Sequence, residues 1–375
     1  MAEEERIVLR SIVRKYRIYP NNEQEVFFAK CFGSVRFVYN KMLFEKQEYY
    51  KETGKSLRIT PAKYKKEFPW LKEVDSLALS NAQLHLETAY KNFFRDKSVG
   101  FPKYKSKHKS KTSYTTNVVN GNIRVGHGRI RLPKVGDVKI RIHRNVEDNW
   151  RLKSVTISRE TTGKYYAALL YQYECNDNQV QEERDKRMLG IDFAMHGLAV
   201  FSDGTKAEYP MFYRNAEKRL AREQRKLSKC QKGSNNYNKQ KKRLARAHDK
   251  IRNQRNDFQH KLSHRLVEEY DVIVVEDLNM KGMSQALHFG KSTMDNGYGA
   301  FLSKLEYKLD REGKELVKID RFYPSSKRCS CCGKIKDDLK LSDRVYNCSC
   351  GNRMDRDINA AINICNEGRR LLETA

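Results

Sequence analysis

Residues 271–277 read DVIVVED, a short apolar run that ends in two acids. A run so rich in Val and Ile is typical of a strand buried on both faces, as in a parallel sheet covered by helices. Successive side chains of a strand point to opposite faces, so Glu276 and Asp277 are not expected to face one site. Glu276 shares a face with Val272 and Val274, and it is the acid we favour. The stretch predicts an α/β unit with a carboxylate at the end of a buried strand.

Two further acidic positions flank this strand along the chain. Asp192 follows Leu-Gly-Ile on a predicted first strand, and the sequence DRD places Asp355 and Asp357 before a helix predicted over about 357–372. Mg²⁺ prefers carboxylate oxygens and keeps waters for a substrate phosphate. Two such ions can clamp the attacking and leaving oxygens of a phosphodiester. Three carboxylates on rigid elements would therefore suffice for a magnesium site, although the local pattern leaves open the choice between Asp355 and Asp357.

Each acid also has a plainer interpretation. Asp192 could be a strand-end acid held by turn amides, and Glu276 could pair with one of the many basic side chains. Asp357 could be a helix N-cap, a position at which Asp is favoured over Ala by about 1 kcal/mol. The sequence distances between the acids are large, so only the fold could bring them together.

A cluster of cysteines precedes the last helix and accounts for five of the nine in the chain. Cys329 and Cys332 form a C-x₂-C pair, and Cys348 and Cys350 follow about fifteen residues later. This gap fits the two-pair pattern of structural zinc sites, except that the second pair has one spacer residue in place of two. Cys331 is surplus and could replace a neighbour or be free. We predict one structural Zn²⁺; a redox pair explains four cysteines poorly.

The charge of the chain indicates a polyanionic partner. Lys and Arg total 75 against 47 Asp and Glu, which gives a net charge of +28. The range from Arg214 to Arg255, a predicted pair of helices, contains 16 basic residues and three acids. Neutralised phosphates release counterions and so drive association, which makes nucleic acid the expected partner. A basic enzyme without a nucleic-acid role is the alternative.

No signal peptide and no run near the roughly 18 apolar residues of a membrane span are visible. The expected location is the cytoplasm, in association with the nucleoid, with no membrane partner.

The N-terminal half is predicted to combine strands and helices. Residues 6–19 suit a strand, 21–97 a helical module, and 113–173 a β-barrel-like set of strands, followed by a polar linker over 174–187. Lysines alternate at positions 103 to 111. In an extended chain these five side chains would share one face, whereas the alternative is a solvated tether.

Several motifs occur together in one order along the chain: IDFAMHGLAVFSDG, VIVVEDLNMKGM, IDRFYPSSKRCSCCG and DRDINAAINI. In this order they resemble the TnpB (OrfB) nucleases of bacterial insertion sequences, which are relatives of the type V CRISPR effectors. The opening KYRIYPNNEQEVFFAKCFGSVRFVYNK and the segment GFPKYKSKHK resemble the same family. The second cysteine pair departs from the family's commoner C-x₂-C spacing, which puts the geometry of the cysteine region in question and leaves the nuclease expectation intact.

The resemblance implies an RNA-guided DNA endonuclease with an RNase H-like RuvC domain. The family's acids are the Asp after GID, the Glu of VED and the second Asp of DRD, which correspond here to Asp192, Glu276 and Asp357. These three are the implied catalytic residues and ligands of two Mg²⁺ ions, with Asp355 in support. A water activated by one ion would attack phosphorus in line, and the second ion would stabilise the departing 3′ oxygen.

The implied fold class is a multidomain α/β and α+β protein. A wedge-like β domain (1–20 and 113–185) would carry an inserted helical recognition module (21–112), and a RuvC domain (186–328 and 352–375) would carry an inserted zinc ribbon (329–351). The implied partners are a guide RNA derived from the transposon end and a target double-stranded DNA, bound by a monomer on one guide RNA. The residues expected near nucleic acid are Ser80, Gln83, Lys91, Arg95, Lys103, Tyr104 and Lys105.

Three rival functions remain. An RNA-guided DNA-binding repressor would lack an acid, and all three are present. A transposase would join DNA ends without a co-purifying RNA. A structural-zinc DNA-binding protein would use the acids as caps and ion pairs alone.

Overall fold

A computed structural model of the chain describes residues 7–176, 186–194, 197–277, 295–340 and 342–374. The chain divides into two compact units, Met1–Asn178 and Gln179–Ala375. Most of the predicted linker and part of two motifs, including LNMKGM after the acidic strand, lie outside the described residues. Among the described helices, none combines the length and the apolar character needed to cross a membrane.

A seven-stranded antiparallel sheet forms the base of the first unit, in the order β2-β6-β7-β1-β5-β4-β3. Its strands are β1 (Ile7–Tyr19), β2 (Ser113–Asn117), β3 (Arg124–Gly126), β4 (Arg129–Leu132), β5 (Gly136–Arg141), β6 (Arg151–Arg159) and β7 (Tyr165–Asn176). β1 pairs with β7 over most of its length and with β5 at its C-terminal end. The order leaves β2 and β3 as edge strands, so the sheet is open where the sequence suggested a barrel.

The helices α1 (Asn22–Thr53), α2 (Tyr64–Glu67) and α3 (Ser76–Arg95) are inserted between β1 and β2. Asn21 is the N-cap of α1, and Asn21 and Gln24 form a reciprocal capping box. The ring of Phe28 lies 6.1 Å from that of Tyr114 and 5.9 Å from that of Tyr165. Helices and sheet therefore share one hydrophobic core, although the sequence suggested two separate modules.

The lysine-rich segment after α3 is neither an extended strip nor a loose tether. Its chain turns at residues 107–109. The Asn40 side chain donates to the carbonyl of Lys105 at 2.9 Å and accepts from its N–H at 2.8 Å. The Lys105 ammonium lies 3.9 Å from the centroid of the Tyr39 ring. The five lysines therefore do not share one face, because the turn and this anchor redirect the chain.

The second unit has a four-stranded sheet in the order β11-β10-β8-β9. Its strands are β8 (Met188–Asp192), β9 (Val200–Phe201), β10 (Val272–Glu276) and β11 (Glu315–Ile319). β10 is parallel to β8 and β11, while β9 is antiparallel to β8. The four residues Val272 to Val275 are fully buried, which confirms the burial on both faces predicted from their composition.

Helices cover both faces of this sheet. They are α4 (Phe212–Ser228), α5 (Asn235–Glu269), α6 (Tyr298–Glu312) and α7 (Arg356–Glu373). Side chains of α5 and α6 pack with Ile273 and Val275 on one face, and Ile364 of α7 packs with Val272 and Val274 on the other. A small hairpin of β12 (Val345–Asn347) and β13 (Arg353–Asp355) leads into α7.

Helix α7 lies close against the sheet because small residues line the contact. A Cβ built on Gly190 would come within 2.7 Å of the Cys365 backbone nitrogen. Ala360, Ala361 and Ile364 are buried, and the two alanines are small enough to let the helix lie close on the sheet. The close approach brings the first turn of α7 to the carboxyl ends of β8 and β10.

Candidate metal centres

Three carboxylates converge where the parallel strands end. Cα pairing matches Val274 with Gly190 and Val275 with Ile191, so the next pair in this register is Glu276 and Asp192. Strand side chains alternate between faces, so both acids lie on the face that α7 covers. Asp357 lies in the first turn of α7. The structure thus brings together acids that are 84 and 81 residues apart in sequence.

The electrostatics of this cluster favour a cation. Burial raises the pKa of Asp192 to about 8, and the negative charges of Glu276 and Asp357 add to the shift. Burial also raises the pKa of Glu276, against a hydrogen bond from Ser325. Like charges at close range oppose ionisation, and a hard divalent cation removes that opposition. The donor set therefore fits Mg²⁺.

The structure distinguishes the two acids of the DRD motif. The Asp355 carboxylate caps α7, since it accepts from the N–H groups of Asp357 at 2.9 Å and Ile358 at 3.3 Å. It also accepts from the Lys206 ammonium at 2.8 Å. Asp357 is not the N-cap, so that plainer interpretation is wrong. The Asp357 carboxylate accepts from the Arg356 guanidinium at 3.0 and 3.2 Å.

Sequence reasoning missed the residues that hold Glu276 in place. The Ser325 hydroxyl, which is buried, donates to the Glu276 carboxylate. Arg321 donates to the neighbouring Asp277 carboxylate at 2.7 Å and to its carbonyl at 3.0 Å, which ties that side chain away from Glu276. Ser325 and Arg321 both lie in the segment DRFYPSSK, which follows β11. The run of small polar residues in this segment was the one sequence feature that could have indicated such contacts.

The four predicted cysteines form a single group. The Sγ atoms of Cys329, Cys332, Cys348 and Cys350 all lie within 4.8 Å of one another. The pairs Cys329–Cys350 and Cys332–Cys348 are each 3.6 Å apart. A tetrahedral zinc with bonds of about 2.3 Å requires sulfurs roughly 3.8 Å apart, whereas a disulfide requires about 2.05 Å. The group therefore fits one zinc ion, and Cys331 lies exposed outside it.

Each cysteine pair is held by a tight backbone turn. The N–H of Gly333 donates to the carbonyl of Cys329 at 3.0 Å, and the N–H of Gly351 donates to that of Cys348 at the same distance. Both glycines have positive φ, of 75° and 91°. Glycine adopts this conformation without steric strain. The two turns differ in size: five residues run from Cys329 to Gly333 and four from Cys348 to Gly351. The C-x-C pair is therefore closed by a turn that is one residue shorter and also ends on a glycine.

Two buried asparagines of α7 attach the cysteine turn to the helix that carries Asp357. The Asn359 side chain accepts from the N–H of Ser330 at 3.0 Å and donates to the carbonyl of Arg328 at 2.7 Å. Asn363 donates to the carbonyls of Arg328 at 2.6 Å and Ser325 at 2.8 Å. The segment that bears Ser325 and Cys329 is therefore fixed to α7.

The residues expected near nucleic acid occupy two places in the first unit. The four on α3 fall on one side of the helix, because their spacing places them within roughly a third of its circumference: Ser80, Gln83, Lys91 and Arg95. Gln83 donates to Glu87 at 2.8 Å, and the other three are exposed. In the loop after α3, Lys103 is exposed, Tyr104 donates to Gln47 at 2.7 Å, and Lys105 is directed at Tyr39.

Family models match most of the second unit and part of the first. The OrfB model of IS605 elements, described as "Probable transposase", matches residues 170–287. The model "Cas12f1-like, TNB domain" matches residues 298–364, which include the cysteine group, and an OrfB "Helix-turn-helix domain" model matches residues 11–55. The last range holds most of β1 and all of α1 in the structure.

Curated relatives cover nearly the whole chain. A Streptomyces pristinaespiralis protein named "Putative RNA-guided DNA endonuclease" is 36% identical, over 94% of this chain and 88% of the relative. The Escherichia coli K12 protein of the same description, InsQ, is 30% identical over 96% of this chain and 92% of the relative. A solved Cas12f1-sgRNA-target DNA complex has a similar fold, with a TM-score of 0.58 and 13% identity over 96% of this chain and 99% of that one. The chain belongs to the OrfB (TnpB) family.

Proposed function

We propose that the chain is an RNA-guided DNA endonuclease encoded by a transposon, which hydrolyses phosphodiesters in a RuvC site. The observation that carries the proposal is the convergence of Asp192, Glu276 and Asp357 at the carboxyl ends of two parallel strands. Ligands of open α/β sheets bind at this edge. The relatives' names and the net charge of +28 support a nucleic-acid substrate.

Asp192, Glu276 and Asp357 would hold two Mg²⁺ ions. Bound divalent cations would supply an activated water and neutralise charge on the scissile phosphate. The protein's own contribution is placement: Ser325 orients Glu276, the cap from Asp355 fixes the first turn of α7, and Arg356 lies beside Asp357. Rigid support of this kind holds catalytic groups within the narrow tolerance that the reaction requires.

The remaining parts have proposed roles that follow the family resemblance. The sheet and helices of the first unit would form the wedge-like domain and the recognition module, and would contact the guide RNA and the duplex beside the target. The four cysteines would bind one structural Zn²⁺. One chain would act on one guide RNA, in association with the nucleoid. Base pairing would select the target, while the protein reads a short flanking motif.

One experiment tests the proposed activity. The protein is purified from cells that carry its native flanking DNA, bound RNA is sequenced, and a plasmid matching that RNA is offered with Mg²⁺. We expect RNA-dependent cleavage that is lost in Asp192→Ala. Absence of RNA-dependent cutting, or undiminished cutting by Asp192→Ala, contradicts the proposal.

Two alternatives make different predictions in the same assay. The description "Probable transposase" of the matching family model favours DNA joining as the second candidate. A transposase would produce joined strands without RNA. A catalytically silent repressor would bind the matching plasmid with RNA and leave it intact in Mg²⁺.

A further inference from the structure

Phe322 is exposed in the segment that follows β11 and leads to Ser325, the hydroxyl donor to Glu276. It lies three residues after Ile319, the end of β11, and Ile319 pairs with Glu276 in the parallel register. Its relative exposure is 86%, above that of every other large hydrophobic residue in the described part of the chain. An aromatic ring that stays in solvent forgoes the free energy gained by burying apolar surface. Core packing therefore does not explain the position of Phe322.

The backbone that carries Phe322 is firmly held. The Phe322 N–H donates to the Asp320 carboxylate at 2.7 Å. On one side Arg321 is bound to Asp277, and on the other Tyr323 packs against the core beneath α7. The ring is therefore presented by a fixed turn, and its exposure does not follow from a loose loop.

Exposed basic side chains lie next to Phe322 in the chain and at the carboxylate cluster. The Arg321 side chain is 44% exposed, and Arg344, with its side chain 67% exposed, lies 4.0 Å from the Asp357 carboxylate. Exposed aromatic rings combined with basic side chains are the usual surface for unpaired nucleotides, because every base offers a face for stacking and every phosphate a charge. A basic surface does not favour a second copy of a chain that carries a net charge of +28.

We propose that Phe322 is the stacking platform for an unpaired nucleobase of the DNA strand that enters the carboxylate cluster. This inference rests on the proposed nuclease function and adds a binding subsite to it. By holding one base, the ring positions the adjacent phosphate; it is a positioning residue and takes no part in bond breaking. An aromatic ring with two side-chain torsions does this with little loss of conformational freedom.

The test uses the full chain with its co-purified RNA. Single-stranded oligonucleotides carry the fluorescent base 2-aminopurine at successive positions and are bound without Mg²⁺, so that stacking is read without cleavage. Variants are Phe322→Ala, Phe322→Leu and Phe322→Trp. The matched control is Tyr307→Ala on α6, which removes an aromatic residue that is 49% exposed. Cleavage of the matching plasmid is measured in parallel with Mg²⁺.

We expect wild type, Phe322→Trp and Tyr307→Ala to quench the fluorescence, and Phe322→Ala and Phe322→Leu to lose the quenching. Cleavage by the Ala and Leu variants should fall about tenfold at saturating target, with RNA-dependent target binding unchanged. Quenching that survives Phe322→Ala overturns the subsite, and so does a Leu variant that matches wild type. Quenching that depends on Phe322 in a protein that never cleaves would refute the proposed nuclease and leave the subsite standing.

Discussion

The cysteine group and the carboxylate cluster are two metal-type donor sets of the same unit, built in opposite ways. The cysteines come from one segment of about twenty residues, folded by two glycine turns, and their sulfurs already lie at zinc-binding distances. The carboxylates come from two strands and a helix. Their mutual repulsion contributes to raising the pKa of Asp192 to about 8.

From this difference we expect the shape of the cysteine group to depend in part on a bound metal, and the shape of the carboxylate cluster to depend on the fold. The cysteine segment is held by its two turns, the β12–β13 hairpin, the buried Tyr346 and the asparagine contacts of α7. We expect zinc to fix the four sulfurs in addition. The carboxylates, in contrast, are carried by buried strands and a packed helix that persist without any ion. Loss of a cysteine should therefore change structure, whereas loss of an acid should change activity at constant structure.

The largest effect should come from removing a carboxylate from the cluster. Glu276→Gln keeps the size and the Ser325 contact but removes a charge, and cleavage should fall by roughly a thousandfold, since metal-ion stabilisation is worth several kcal/mol. The matched control is Asp277→Asn, on the next residue, which is bound to Arg321 outside the cluster. It should retain most activity. Cleavage rates on a matching plasmid, with circular dichroism to confirm folding, provide the measurement.

Equal losses in the two variants would contradict the strand geometry that separates Glu276 from Asp277. A melting temperature of Glu276→Gln many degrees below that of wild type would contradict the contrast between structural cysteines and functional acids, because Glu276 would then be structural.

The second effect concerns structure at the cysteine group. Cys350→Ser should lower the zinc content from one ion per chain towards zero and lower the melting temperature of the second unit by several degrees, because structural zinc contributes folding free energy directly. Cleavage should weaken through disorder around α7. Cys331→Ser is the matched control, since its thiol lies outside the group, and it should keep both the metal and the stability. A Cys331→Ser variant without zinc would show that the four-ligand assignment is wrong.

The third effect is the contribution of the carboxylate cluster to the pH dependence of stability. The pKa of Asp192, about 8 in the folded chain, exceeds the value of about 3.9 expected when unfolded. Between these values the folded chain binds a proton that the unfolded chain releases, so stability falls as pH rises, by up to about 1.4 kcal/mol per unit. Urea unfolding from pH 5 to 8 without Mg²⁺ should show this slope in wild type. Asp192→Asn should remove it, and Mg²⁺ should reduce it.

A slope that persists in Asp192→Asn would place its origin elsewhere in the chain. A slope that Mg²⁺ leaves unchanged would indicate that the cluster does not bind the ion.

The sequence predicted the cysteine group more completely than the carboxylate cluster. The cysteines could be named from spacing alone, because all four are local. Glu276 was separated from Asp277 by strand periodicity, but the convergence of three acids depended on the parallel register and on Gly190, whose missing side chain admits α7. Ser325, Asn359 and Asn363 were missed because a hydrogen bond between distant segments leaves no periodic pattern. The open sheet and the turn in the lysine segment were also beyond local periodicity, since long-range pairing and the Asn40 contacts determine them.

The smallest effect should come from Asp355, which connects the two donor sets because it follows the cysteine segment and caps the helix of Asp357. Asp355→Ala removes the helix cap, which contributes about 1 kcal/mol to the free energy of unfolding. It also removes the ion pair with the half-exposed Lys206, which contributes at most about 1 kcal/mol. Fraying of the first turn should displace Asp357 and slow cleavage by roughly tenfold. Asp355→Ser restores a capping oxygen without the charge and should recover most of the rate, and Lys206→Ala should stay close to wild type. If Asp355→Ser were as inactive as Asp357→Asn, the carboxylate of Asp355 itself would be required, and the third ligand of the cluster would have to be reassigned from the helix turn to its cap.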